Sequence, residues 1–260
     1  MNLTVSLAQI DIEFGNPVQN LKKVTDYVAE AARRGSDWIV LPELWSTAYD
    51  LINASQHATL TNAGVFAELA TLAKQHHITI IGSALSDMGD GRYGNTLTWH
   101  RPNGDLAASY SKLHLFRLMD EHCHLAAGDA PALVETEFGK VGLGICYDLR
   151  FPELFRHYAL AGATMMVLPA EWPHPRKMHW RTLIRARAIE NQMFMIACNR
   201  VGEGGGNQFF GHSAIIDPYG EVIIEGGEQE MLLTGVVDFG RLPAVRDQIP
   251  IFTDRRPDAY

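Results

Sequence analysis

Cysteine and long apolar runs are both scarce in this sequence. Its three cysteines, Cys123, Cys146 and Cys198, cannot all pair within one chain, and their spacing fits no disulfide framework. A reducing cytoplasm is the expected setting. The longest weakly polar stretch, around Tyr158–Ala170, is too short to cross a bilayer and contains Pro169, so no membrane is expected as a partner. The N-terminus, MNLTVSLAQIDIEF, lacks a basic start followed by an apolar run, which argues against a secretory leader. Positive charge is short as well. Twenty-two basic residues face 30 acidic ones, giving a formal net charge of −8, so no nucleic acid is expected to bind. CxxC and HxxxH pairs are missing. His122, Cys123 and His124, with His114 earlier, come nearest to a metal set, but neighbours at i and i+1 rarely face one ion, and no metal is expected. Cys123 and Cys198 read as packed thiols, with an exposed Cys123 as the alternative.

What is present suits one domain over residues 1–260. The chain is 47% hydrophobic and 20% charged, enough for a sizeable core, and no linker rich in Pro, Gly or Ser divides it. Asn2–Ile10 reads as a strand. Leu21, Val24, Val28, Ala31 and Ala32 mark an amphipathic helix closed by Gly35. Trp38–Leu41 is short and apolar enough for a strand buried on both faces. A helix over Val65–His76 leads into the strand Ile78–Leu85, and strands near Asn95–Arg101 and Leu106–Ser111 flank the turn signal PNGD. Lys140–Ile145 reads as a strand, followed by a helix with Pro152 in its first turn. The strand Met165–Leu168, a helix over His179–Gln192 and the strand Met193–Cys198 come next. The remainder reads as mostly β, with strands at His212–Ile216, Val222–Glu225 and Leu232–Asp238. GEGGGNQ (202–208) does not lead from a strand into a helix as a phosphate loop must, and reads as a mobile surface hairpin. Arg181, Arg185 and Arg187 are expected to form salt bridges on their helix. Strands alternating with helices, plus hairpins, predict a mixed α/β sandwich.

Two stretches echo one another. GSDWIVLPELW (35–45) and GATMMVLPAEW (162–172) align without gaps, each after a helix, and suggest two related strand units. Their carboxyl ends would share an edge of the fold, where open α/β sheets bind ligands. Glu43 in the first copy stands where the second has Ala170.

Cys146 would lie at the carboxyl end of a strand, on the turn into a helix. As a lone cysteine it can be a packed thiol, a metal ligand or a nucleophile. A nucleophilic thiol needs a base, and its tetrahedral intermediate needs positive charge or N–H donors. Glu43 follows an apolar strand and a proline, a half-buried position suited to proton transfer. Lys112 is an isolated charge between LAASYS and LHLF and could stabilise an oxyanion and the thiolate. Each also reads as an ordinary solvated or salt-bridged residue, and spacing alone does not choose.

The chain resembles the carbon–nitrogen hydrolase (nitrilase) superfamily from LAQID near its start to DRRPDAY at its end. WIVLPELW resembles the glutamate block, SYSKLHLF the lysine block and GLGICYDLRFPELFR the cysteine block, while HWRTLIRARAIENQMF is a fourth family segment. The resemblance implies a four-layer αββα sandwich that stacks as a homodimer. It assigns Glu43 as general base, Lys112 as stabiliser of the tetrahedral intermediate and Cys146 as nucleophile, without a cofactor. Glu121, in LMDEHCHLAAGD, matches the family's further glutamate. Tyr147 would supply a backbone N–H to the oxyanion, with Asp148 and Arg150 pairing to fix the turn.

PAEWPHPRKMHW (169–180) resembles the segment of bacterial omega-amidases, which implies a small-molecule amide substrate of the 2-oxoglutaramate or 2-oxosuccinamate type. Such a substrate needs apolar walls, for which Phe116 and Trp172 are candidates. It also needs a cation for its remote carboxylate, for which Arg176, Lys177 and Arg150 are candidates. Deaminated glutathione, N-carbamoyl compounds and nitriles are the alternatives within the superfamily. A non-catalytic binding paralogue is the alternative outside enzyme chemistry.

Overall fold

The computed structural model describes residues 1–89 and 91–259, and hydrophobic periodicity accounts for most of its elements. The first half of the chain runs β1 (Asn2–Gln9), α1 (Pro17–Arg33), β2 (Trp38–Val40), α2 (Gly64–His76), β3 (Thr79–Gly89), β4 (Arg92–His100) and β5 (Leu106–Ser111). β6 (Leu133–Thr136), β7 (Gly139–Leu143), α3 (Pro152–Leu160), β8 (Ala163–Ala170), α4 (Lys177–Asn191) and β9 (Phe194–Asn199) follow. A hairpin of β10 (Val201–Gly204) and β11 (Asn207–Phe210) precedes β12 (Ala214–Ile216), β13 (Val222–Glu225), β14 (Met231–Asp238) and α5 (Arg241–Gln248). In α1, Pro17 sits in the first turn and the Asn16 side chain accepts a hydrogen bond from the Gln19 N–H. Asn20, Val24, Val28 and Ala31 are buried on one face at helical spacing.

Among the described residues the larger strands form two six-stranded sheets, ordered β14-β1-β2-β3-β4-β5 and β13-β12-β9-β8-β7-β6. Trp38 and Val40 of β2 point between the sheets, toward Val141, Leu143, Met165 and Val167. Ile39, pointing the opposite way, packs with Val24, Val28 and Leu69 of α1 and α2. On the far side, α3 and α4 cover the second sheet through Phe155, Tyr158 and Trp180. The result is the αββα sandwich that the family resemblance implies. Each large apolar side chain so buried contributes about 1.5–3 kcal/mol through removal from water.

The sequence echo has a structural counterpart. In the first sheet β1, β2 and β3 are parallel, then β4 and β5 are added antiparallel. In the second, β7, β8 and β9 are parallel, then β12 and β13 are added antiparallel. β14 closes the β1 edge and β6 the β7 edge, both antiparallel. The two echoing stretches thus carry the equivalent strands β2 and β8, and the β10–β11 hairpin is an insertion in the second unit. That hairpin is tied down, since the His174 N–H donates to Gln208 O and Pro173 bridges to Phe209.

Two expectations needed correction at the ends of elements. The strand expected to reach Ile145 stops at Leu143: the Gly144 N–H still donates to Val167 O, but the next donor, the Ile145 N–H, is taken by the Asp148 carboxylate. The C-terminal region expected to be mostly β contains α5, which buries only Leu242 and so leaves a weak periodic signal.

Candidate active site

Four strand ends converge where the sheets face each other. Glu43 follows β2, Cys146 follows β7, and Glu171 directly follows β8. Lys112 follows β5, and Glu121 begins a single helical turn, Glu121–His124. Glu43, Lys112 and Glu121 have fully buried side chains. Lys112 Nζ lies 2.7 Å from Glu43 Oε1 and 2.7 Å from Glu121 Oε2. Burial alone would lower the Lys112 pKa, but the Glu121 and Glu43 carboxylates outweigh it and hold the amine protonated. Burial and the neighbouring Glu43 charge raise the Glu121 carboxyl, against the pull of Lys112.

The two oxygens of Glu43 are not equivalent. Oε1 accepts from Lys112 Nζ at 2.7 Å, Asn95 Nδ2 at 2.8 Å and the Tyr49 hydroxyl at 2.9 Å. Oε2 accepts from the backbone N–H of Glu171 at 2.8 Å. With three donors Oε1 is saturated, and Oε2 is the oxygen with a lone pair to spare.

Cys146 occupies the left-handed region at φ 44° and opens the tight turn Cys146–Arg150. Such a conformation is costly for a side chain with a Cβ and must be held by its surroundings. Asp148 does the holding. Its carboxylate accepts from the Tyr110 hydroxyl at 2.7 Å and the Ile145 N–H at 2.9 Å, and lies 2.7 Å from His114 Nδ1. The expected pairing of Asp148 with Arg150 is therefore corrected: Asp148 turns inward, and Arg150 turns to the pocket. Burial and the Glu43 charge push the Cys146 thiol well above its ordinary range. Lys112 pulls the thiol downward, as expected, but burial and the Glu43 charge outweigh it and the thiol stays protonated at rest.

Cys146 opens into a narrow slot lined by Phe116, Tyr147, Arg150, Trp172, Pro173 and Arg176. Phe116, Tyr147, Trp172 and Arg176, singled out from the sequence, are thus all brought to the thiol. The guanidinium of Arg150 lies over the Trp172 ring at 4.7 Å, and that of Arg176 over Phe116 at 5.6 Å. Among the described residues neither arginine has a carboxylate partner. Lys177 drops out as a candidate, being paired with Glu228 outside the slot. His174 lies beside the slot, on the loop bonded to the β10–β11 hairpin.

Elsewhere, Arg181 pairs with Glu225 and Arg187 with Glu190, as expected, while Arg185 makes no such pair among the described residues. Cys198 is buried, but Cys123, read as packed, is exposed because its helical turn lies at the surface. His122 and Cys123, expected to diverge, in fact lie with Asp120 so that their ligand atoms are within 4.8 Å of one another, all exposed. No helix among the described residues is long and apolar enough to cross a membrane.

Sequence reasoning missed Tyr49, Asn95, Glu171 and Arg200. Asn95 and Tyr49 sit in stretches with no distinguishing pattern. The echo held a clue to Glu171, whose acid is displaced by one position from the place of Glu43.

The family model for carbon–nitrogen hydrolases matches residues 4–247. A 2-oxoglutaramate amidase of Bacillus subtilis is 40% identical, with both chains covered completely. A mouse omega-amidase is 32% identical over 99% of this chain and 97% of its own. Among solved structures, a carbon–nitrogen hydrolase superfamily protein of Xanthomonas campestris, crystallised with an arsenic adduct in its active site, superposes with a TM-score of 0.92. It is 31% identical, with 98% of each chain covered. A buried acid–amine–thiol site on this doubled sandwich, together with a match over nearly the whole length, makes the chain an enzyme of the carbon–nitrogen hydrolase family.

Proposed function

We propose that the protein hydrolyses the terminal amide of a small 2-oxo acid half-amide, such as 2-oxoglutaramate, to the acid and ammonia. The observation that carries this reading is the slot beside Cys146, with aromatic walls and two arginines that lack a carboxylate partner of their own. A half-amide fills such a slot by placing its amide carbon at the thiol and its carboxylate at Arg150 and Arg176. The full-length likeness to a 2-oxoglutaramate amidase supports the same substrate class.

Glu43 Oε2 takes the Cys146 proton as substrate arrives, and the sulfur attacks the amide carbon. The raised thiol pKa fits a proton that leaves only when the new S–C bond compensates. Negative charge moves to the amide oxygen, where the Lys112 ammonium and the backbone N–H of Tyr147 receive it. Glu121 keeps Lys112 in place and charged. The C–N bond breaks as ammonia leaves with the proton from Glu43, giving a thioester. Water then gives a proton to Glu43 and its oxygen to the carbonyl carbon; the C–S bond breaks, the acid departs and Cys146 recovers its proton.

Residues 1–260 act as one catalytic domain, in keeping with a core that is continuous between the two sheets. Two copies associate, which would cover apolar side chains left exposed on α3 and α4, namely Leu160, Met178 and Ile189. Three unpaired thiols suit the cytoplasm.

The test is ammonia release from 2-oxoglutaramate, glutamine, deaminated glutathione, an N-carbamoyl amino acid and an aliphatic nitrile, with Cys146→Ala as blank. Release from 2-oxoglutaramate that depends on Cys146 is expected. Release from another compound and not from this one would discard the substrate, and silence on all five would discard the activity.

A further inference from the structure

A third buried carboxylate lies against the base and takes no part in the steps above. Glu171 is wholly buried, and its backbone N–H donates to Glu43 Oε2 at 2.8 Å. Its side-chain Oε2 meets Arg200 Nη1 at 3.1 Å, while its Oε1 is buried without a hydrogen-bond partner. Arg200 is itself fully buried. Its Nη2 donates to Asp11 Oδ1 and to Ile12 O, both at 2.8 Å, and its guanidinium lies 4.4 Å from the Phe209 ring. The guanidinium is therefore fixed from several sides. A chain of charge runs from the half-exposed Asp11 through Arg200 and Glu171 to Glu43.

We propose that Glu171 is a positioning residue for Glu43, holding that carboxylate by its main chain and setting beside it a side-chain charge that strengthens it as a base. This inference rests on the reading of Glu43 as the general base. The charged and titratable groups around the pair are Arg200 after β9, Asp11 after β1, Lys112 after β5, Tyr49, Glu121 and Cys146. Arg200 is held in place and cannot swing away, so the group that changes charge is Glu171. Burial, against the pull of Arg200, pushes its carboxyl up to about 8. Below that pH the carboxyl is mostly neutral. Above it a negative charge appears next to Glu43, and transfer of the thiol proton onto Glu43 relieves the repulsion.

The test is the pH profile of kcat/KM for Glu171→Gln, which keeps the backbone N–H and the shape but never ionises. The substrate is 2-oxoglutaramate, or the amide of the panel above that is turned over. The wild-type to variant ratio is expected to be near one at about pH 6 and to grow several-fold by about pH 9. A folded variant whose ratio is constant over that range overturns the proposal, because a merely structural role has no reason to follow a titration. Asp11→Asn provides a second arm. Losing that carboxylate lets Arg200 press harder on Glu171, so the rise in rate should begin at lower pH. Should Glu171→Gln fail to fold, an Asp11→Asn profile identical to wild type overturns the proposal by itself. Glu43→Gln separates the two layers: a fast Glu43→Gln enzyme removes the base reading, whereas a dead one with a flat Glu171→Gln ratio removes only this inference.

Discussion

Lys112 shows why buried charge in this site is a matter of partners. Two carboxylates hold one ammonium, and none of the three side chains reaches water. Lys112→Met would leave Glu43 and Glu121 buried without their counter-ion, at a cost of about 3–5 kcal/mol if neither took up a proton. The expected outcome is a lower unfolding midpoint and a fall in kcat of at least ~10², read by denaturant titration and ammonia release. His100 offers a second test at this scale. Burial pushes its imidazole from the ordinary 6.5 down to about 4, with Nε2 against the Thr98 hydroxyl at 3.1 Å and Nδ1 without a partner. Between those two values the unfolded chain binds the proton and the folded one refuses it. The contribution of His100 to stability is thus present above about 6.5 and lost as pH falls toward about 4. His100→Asn should flatten that part of the curve of unfolding free energy against pH. An unchanged slope in the variant would remove His100 as its cause.

The strand β7 depends on glycine for its distance from α3. A Cβ on Gly142 would stand 2.7 Å from the Tyr158 ring and 2.8 Å from Met166 Sδ. Tyr158 has little room to retreat, because its hydroxyl donates to Leu143 O at 2.7 Å and accepts from the Ala132 N–H at 3.0 Å. Gly142→Ala is therefore expected to destabilise the protein by about 1–3 kcal/mol, measured by thermal unfolding. Because β7 carries the Cys146 turn at its end, kcat should fall with it. The sequence revealed this strand, the helix after it and the proline in that helix's first turn, since each leaves a local signal. Its end at Leu143 was not legible. That boundary is set by Asp148 folding back onto the Ile145 N–H, with Tyr110 and His114 arriving from the β5 side.

At the scale of the whole molecule, the doubled sheet explains why a repeat of eleven residues matters. β2 and β8 occupy equivalent places, and the ends of the two copies touch through the Glu171 N–H and Glu43 Oε2. The active site is thus built across the seam between the units, and one unit alone would lack part of it. The exposed apolar side chains of α3 and α4 belong to this scale as well. Sedimentation equilibrium is expected to give twice the mass of one chain. A single-chain mass at micromolar concentration would refute the association.

The sequence by itself determined the alternation of strands and helices, and its resemblance to the carbon–nitrogen hydrolases singled out Glu43, Lys112, Glu121 and Cys146. Hydrophobic period and motif order are local properties of a chain, and they survive without coordinates. The tertiary structure decided which charges meet. It turned Arg150 into the slot and Asp148 away from it, and sent Lys177 to Glu228. It also surrounded Glu43 with Asn95, Tyr49 and the main chain of Glu171. Those contacts join residues far apart along the chain, and the free energy of a buried charge depends on what surrounds it in space, which no neighbour in sequence records.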